Sequence, residues 1–415
     1  MFKYRNLANQ DQKILELIKK ETNRQSQELE LIASENYASK AVLEAMATAL
    51  TNKYSEGYPG HRYYGGNQVI DEVETLAIER AKKLFQAEHV NVQPLSGSPA
   101  NAAVYMAFLK PGDKVLGLRL DHGGHLSHGY PINFSGMLYN FTQYEVDLKT
   151  GRIDMEKVKE IALREKPKMI VAGYSAYSRE IEWKKFKDIA DEIKAFTFAD
   201  IAHTAGLIAA GEMDNPIPFF DVVSTTTHKT LRGPRGAIIM CKEKFAKQID
   251  RAVFPGMQGG PHEHIIAAKA VAFGEALRPE FKQYAKQVIA NAKLMAEEFI
   301  KLGYKIISNG TDNHLMVIDM TSKNLRGRDC EQILDKIGIS VSRSTVPNDP
   351  NPPINPSGVR FGTPAITTRG LKEQEIIQII SWINSAISDS DNKTKLNELK
   401  KQVKTMCLKF PIPSV

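Results

Sequence analysis

Residues 222–241 read "VVSTTTHKTLRGPRGAIIMC". The β-branched run 222–227 suits a strand in a covered sheet, and a second apolar run, 236–241, follows after one short loop. That loop carries a single lysine, Lys229, and two arginines, Arg232 and Arg235, set among Gly233, Pro234 and Gly236. Outward from it, further apolar runs at 114–120, 169–175 and 196–200 alternate with amphipathic patterns such as 183–194. Strand–helix alternation of this kind predicts an α/β fold, a mainly parallel sheet covered on both faces by helices. Ligands of such sheets sit at the carboxyl ends of the strands, so Lys229 stands at the mouth of a predicted crevice. Taken alone, a solvated loop lysine would read the same.

The chain divides into three parts. Residues 1–52 form an N-terminal helical arm, with Ile14, Leu15, Leu17 and Ile18 on one face. Residues 53–278 form the large domain, opening on a glycine- and tyrosine-rich loop and a helix over 71–85. Residues 279–415 form a smaller α+β domain, with short strands at 304–308, 314–320, 339–344 and 358–362 and helices at 328–337 and 371–388. Within it, "VPNDPNPPINPSG" (346–358) holds five prolines and reads as an extended loop.

Of the 415 residues, 42% are hydrophobic and 25% charged, the balance of a globular protein. No apolar run approaches the ~20 residues that span a bilayer, and the charged first residues lack the apolar core of a signal peptide. Cys241, Cys330 and Cys407 are odd in number and far apart, giving neither a disulfide framework nor a metal motif. A cytoplasmic location without membrane contact is expected. The net charge of +7, from 55 basic and 48 acidic residues, points to anionic small molecules rather than a nucleic-acid track. The basic segment 392–410 reads as the solvated face of a terminal helix.

Chemistry gathers at the strand ends. "LSGSPANAAVYMAFL" (95–109) reads as a turn, then Ser98 as helix N-cap with Pro99 in the first helical position, a cradle for phosphate. Asp200 closes the run 196–200, with His203 just beyond. A carboxylate there either caps the next helix or keeps a heterocyclic nitrogen protonated. Lys229, with cations close in sequence, is a candidate for the neutral amine that forms a Schiff base. Phosphate turn, acid and amine together fit pyridoxal phosphate.

The sequence resembles the serine hydroxymethyltransferases, fold-type-I pyridoxal-phosphate enzymes, through "ELELIASENYAS" (28–39), "TNKYSEGYPGHRYYGG" (51–66), "HGGHLSHG" (122–129), "FADIAHTAGLIAAG" (198–211), "TTTHKTLRGPRG" (225–236), "FPGMQGGPHEH" (254–264), "GTDNHLMVIDM" (310–320) and "VRFGTPAITTRG" (359–370). The resemblance implies serine–glycine interconversion with transfer of the hydroxymethyl carbon to tetrahydrofolate. It assigns Lys229 to the cofactor aldehyde with His228 as its neighbour, and Asp200 to the ring nitrogen. His203 and Ser175 fall to the phenolic oxygen, His125 to the ring face, and Ser96, Gly97 and Ser98 to the phosphate. Thr226 lies at the cofactor-facing strand end. Arg360 would clamp the substrate carboxylate with help from Ser34, and Arg235 would support the site's anions.

Tyr54, Glu56 and Tyr64, with Gly259 and Gly260, match segments that the family supplies from the second subunit of a homodimer; Glu56 would move the proton between substrate and folate. Folate would lie between Leu120, Gly124 and Leu126 on one side and Pro352, Pro353 and Ile354 on the other. The proline loop departs from the usual family pattern, as do Ser224, Ala237 and "SVSRSTV" (340–346). Two alternatives remain open: a folate-independent aldolase of threonine-like β-hydroxy amino acids, and a catalytically silent RNA-binding protein.

Overall fold

The structure, a computed structural model, describes residues 4–414. Its centre is a seven-stranded sheet: β1 (His89–Asn91), β2 (Lys114–Leu118), β3 (Asn140–Tyr144), β4 (Met169–Gly173), β5 (Phe196–Asp200), β6 (Val222–Thr226) and β7 (Ala237–Cys241), in the order β3-β2-β4-β5-β6-β7-β1. Pairings among β3, β2, β4, β5 and β6 are parallel, and β7 runs antiparallel to both β6 and β1. Alternate side chains serve two cores. Leu116, Ile170, Ala199, Val223 and Ile238 enter one, and Val115, Met169, Phe198, Val222 and Ile239 the other. Burial on both faces explains why these strands are continuous apolar runs rather than alternating ones.

The sequence reading finds five of these strands and misses β1 and β3. β1 is three residues long, and β3 is an edge strand in which only Tyr144 is buried, so neither carries a strong hydrophobic signature.

A third core gathers the small domain, where β8 (Lys305–Ile306), β9 (Leu315–Asp319), β10 (Ser342–Ser344) and β11 (Gly358–Gly362) form an antiparallel sheet in the order β8-β9-β11-β10. The helix Gln12–Gln27 leads into Leu29–Glu30, which pairs in parallel with Ile339–Ser340. Leu29 and Leu31 thereby enter the small-domain core, while Val42 packs on Ala268 and Ala272 of the large domain. Arg369 fastens the arm again: its guanidinium donates to the carbonyls of Gln25, Ser26, Glu28, Cys407 and Phe410. Cations belong at such carbonyl-rich helix ends.

Register then assembles the site. Gly173, Asp200 and Ser224 are aligned across β4, β5 and β6 at or near their carboxyl ends.

Candidate active site

Asp200 is buried, and every bond it accepts comes from a different element. Its Oδ2 accepts from Asn101 Nδ2 at 2.8 Å and pairs with His128 Nε2 at 3.2 Å; Oδ1 accepts from the Ala202 amide at 3.1 Å. Burial raises its pKa, but the His128 bond and charge, with His125 and Asn101, outweigh that and hold the carboxyl well below the usual range. Asn101 is itself fixed: its Nδ2 also donates to Ser127 Oγ at 2.8 Å, and its Oδ1 accepts from Ser224 Oγ at 2.6 Å. Ser127 Oγ in turn meets His125 Nδ1 at 2.7 Å. Asn101, Ser127 and His128 escape the sequence reading. Their signal was present as polar residues inside an apolar helix and a glycine-rich turn.

His125, His128 and Asp200 bring ligand-type atoms within 4.8 Å of one another. The hydrogen bonds just described already engage them.

Lys229 lies just beyond β6, half-buried, and among the described residues its Nζ has no hydrogen-bond partner. Burial lowers its pKa, Asp200 opposes that, and Arg360 and Arg235 add to it, leaving it at about 8. The sequence expectation that Arg232 adds to this effect is corrected. Arg232 stacks on Tyr284, its guanidinium carbon 4.7 Å from the ring centre, and the second cation comes from Arg360 on β11. Burial brings His228 down to about 3 and His125 to about 4, so both are neutral near pH 7. His203, buried and also neutral, faces His314 at 3.2 Å across stacked rings. Arg360 crosses from the small domain to donate to the Ser175 carbonyl, and its Nε reaches Ser342 Oγ at 3.3 Å.

The helix after β1 is Gly97–Phe108, with Ser96 rather than Ser98 at the N-cap, so the predicted start is two residues late. Pro99 is tolerated there because first-turn amides have no intrahelical acceptor. Ser96 makes no side-chain cap, which leaves the free amides to a ligand. A Cβ on Gly97 would come within 2.9 Å of Thr226 Cγ2, so only glycine lets the turn approach β6 this closely.

The remaining sequence-predicted residues fall into three groups. Tyr54 and Tyr64 meet edge to face at 5.0 Å, both largely exposed. A Cβ on Gly259 would approach Glu56 Oε1, and one on Gly260 would approach Tyr54, so these five residues form one cluster. Among the described residues no hydrogen bond or ion pair joins their side chains to Lys229, Asp200 or Arg360. Leu120 opens the 3-10 turn Leu120–His122 and Gly124 follows it, with Leu126 exposed beside it, and Pro352, Pro353 and Ile354 are exposed on the proline loop. Ser34, His228 and Arg235 line a cavity of about 1030 Å³ between the arm and the 228–235 loop.

These residues fit pyridoxal phosphate: an uncapped helix start for an anion, an ionised buried carboxylate with spare acceptor capacity for a protonated ring nitrogen, and an unpartnered, partly neutral amine for an aldehyde. A sheet of order β3-β2-β4-β5-β6-β7-β1 with β7 alone reversed, and a lysine placed after β6, fits a fold-type-I pyridoxal-phosphate enzyme. Within that class, the family model for serine hydroxymethyltransferase matches residues 7–383, and the chain belongs to this family. It is accordingly a pyridoxal-phosphate-dependent glycine hydroxymethyltransferase, acting on serine and glycine with tetrahydrofolate as co-substrate. Among the described residues no helix is long and apolar enough to cross a membrane.

Proposed function

We propose that the Lys229–Asp200 crevice carries the serine–glycine chemistry, and that the chain works as a homodimer in the cytoplasm with each active site shared between subunits. The observation that carries this reading is an amine without a hydrogen-bond partner among the described residues, just beyond β6, next to the neighbouring strand β5 that ends in the buried, hydrogen-bonded carboxylate of Asp200. In it, Lys229 would hold the cofactor aldehyde, Asp200 the ring nitrogen and Ser96–Ser98 the phosphate. His203 and Ser175 would hold the phenolic oxygen, and His125 the ring face. When bound, pyridoxal phosphate supplies the electron sink that stabilises carbanion character at the substrate Cα.

The protein's own groups do the rest. Arg360 offers a two-pronged donor to the substrate carboxylate, a geometry lysine lacks, and Ser34 adds a hydroxyl. Glu56, with Tyr54 and Tyr64, is assigned to the second subunit's site, where its carboxyl moves the proton between substrate hydroxyl and folate. The exposure of these tyrosines and, among the described residues, the lack of any hydrogen bond from them to Lys229 support that assignment, as does the close backbone approach at Gly259 and Gly260. His228 stays neutral beside Lys229, and Arg235 adds positive potential toward anionic ligands. Three free, buried cysteines accord with a reducing compartment.

Serine cleavage assayed with and without tetrahydrofolate tests the reading. It should depend on folate and fall by about 10³-fold or more in Lys229→Ala. Equal serine turnover in both assays would instead favour the folate-independent aldolase.

A further inference from the structure

The proline loop is rigid from within. Asp349 accepts from the amides of Val346, Asn351 and Ser357 and from the Ser357 hydroxyl, at 2.7–3.2 Å. Backbone bonds from Met320 to Ser357 and from Gly327 to Pro356 tie it to the small domain, and Arg343 donates to the Ile354 carbonyl. Among the described residues, the hydrogen bonds from its side chains to the large domain all come through one amide. Asn348, in a left-handed conformation at φ 55°, presents Oδ1 to Arg119 Nη2 and to His122 Nε2 at 3.3 Å.

Both donors are themselves fixed. Arg119 is forked on Asp121 at 2.5 and 2.6 Å and reaches Glu145 with its other nitrogen. His122 Nδ1 accepts the Val146 amide at 3.1 Å, so its proton sits on Nε2 and points at Asn348. The seam between turn and loop holds a void of only 10 Å³, lined by Asp121, His122, Gly123, Thr345 and Pro347 among others.

Leu120 and Gly124 lie on the turn that carries Arg119 and His122, and Pro352–Ile354 lie on the loop that carries Asn348. We propose that Arg119, together with His122, is a positioning residue for tetrahydrofolate: its grip on Asn348 fixes the spacing of the two walls of the folate opening. A pre-set opening spares the ordering cost of closing a loop on each ligand. This inference rests on the folate reading of the same opening.

The test uses the holoenzyme. Arg119→Gln should raise the KM for tetrahydrofolate about tenfold with kcat within about twofold. Calorimetric binding of 5-formyltetrahydrofolate in the presence of glycine should weaken by the same factor. Folate-independent cleavage of a β-hydroxy amino acid such as phenylserine should not change. Asn348→Ala in the Arg119→Gln background should add less than it costs alone, because both substitutions remove the Arg119–Asn348 contact and only the His122 bond is left to lose. An unchanged KM and binding constant in Arg119→Gln would overturn the proposal, as would an equal loss of phenylserine cleavage or fully additive effects. If Arg119→Gln fails to fold, Asn348→Ala carries the same readouts. Failure of the folate reading is separate: wild-type serine cleavage would then ignore tetrahydrofolate.

Discussion

The carboxylate of Asp200 and the amide of Asn348 are both held by hydrogen bonds, and their surroundings differ in kind. Asp200 sits in a closed web of hydrogen bonds with Asn101, Ser127, Ser224, His125 and His128, which together with Asp200 itself come from four separate elements. Asn348 hangs between two domains on bonds from Arg119 and His122, beside exposed residues. The buried web fixes charge, because a low-dielectric pocket makes each polar partner indispensable. The open tether fixes distance, and can be altered without leaving a charge stranded. In the reading proposed above, chemistry depends on the first region and the fit of folate on the second.

The largest effect should come from breaking the web at its centre. Asp200→Ala is expected to lower serine cleavage by about 10²–10³-fold, since a preorganised charge is removed, and to weaken cofactor retention on dialysis. Retention and rates close to wild type would show that the web is only structural. Asn101→Ala leaves Ser127, Ser224 and Asp200 each short of a partner. It should cost about 1–3 kcal/mol in urea unfolding, read as a shifted midpoint at constant m.

Acid should sharpen the contrast next. Burial holds His125 at about 4 and His228 and His314 at about 3, below the ~6.5 of an unfolded chain. Between those values the unfolded state binds more protons, so stability is complete above pH 6.5 and falls as pH drops toward 4. A flat unfolding free energy from pH 7 to 4.5 would contradict this. The smallest effect belongs to the open side: Ile354→Ala should change the KM for tetrahydrofolate by about two- to threefold and stability by less than ~0.5 kcal/mol.

The two regions were unequally legible in the sequence. Strands covered on both faces announce themselves as apolar runs, so β2 and β4 to β7 were readable, and so were the residues at their ends, Asp200 and Lys229. The short β1 and the edge strand β3 bury too little to leave a pattern. Motif resemblance pointed to His125 but passed over Asn101 and His128, because a polar residue facing inward from a helix or turn looks like one facing solvent until the fold is known. The start at Ser96 was misread because Ser-Pro is the commoner helix signal. The Asn348 tether was invisible, because it joins positions far apart in sequence that neither periodicity nor local spacing connects.

One pairing made near the beginning of the chain has a consequence for the order of events during synthesis. Leu29–Glu30 has no strand to lie beside until Ile339–Ser340 has emerged, and Ser34 and Arg360 can be brought to their places only after that. A nascent chain that already holds the whole large-domain sheet would still carry an arm fastened only near Val42, with Leu29 and Leu31 uncovered. Such long-range closure is slow and leaves apolar surface exposed while it waits. The slow step in making this enzyme should thus be the late docking of its earliest residues, and that interval is when a chaperone would find most to hold.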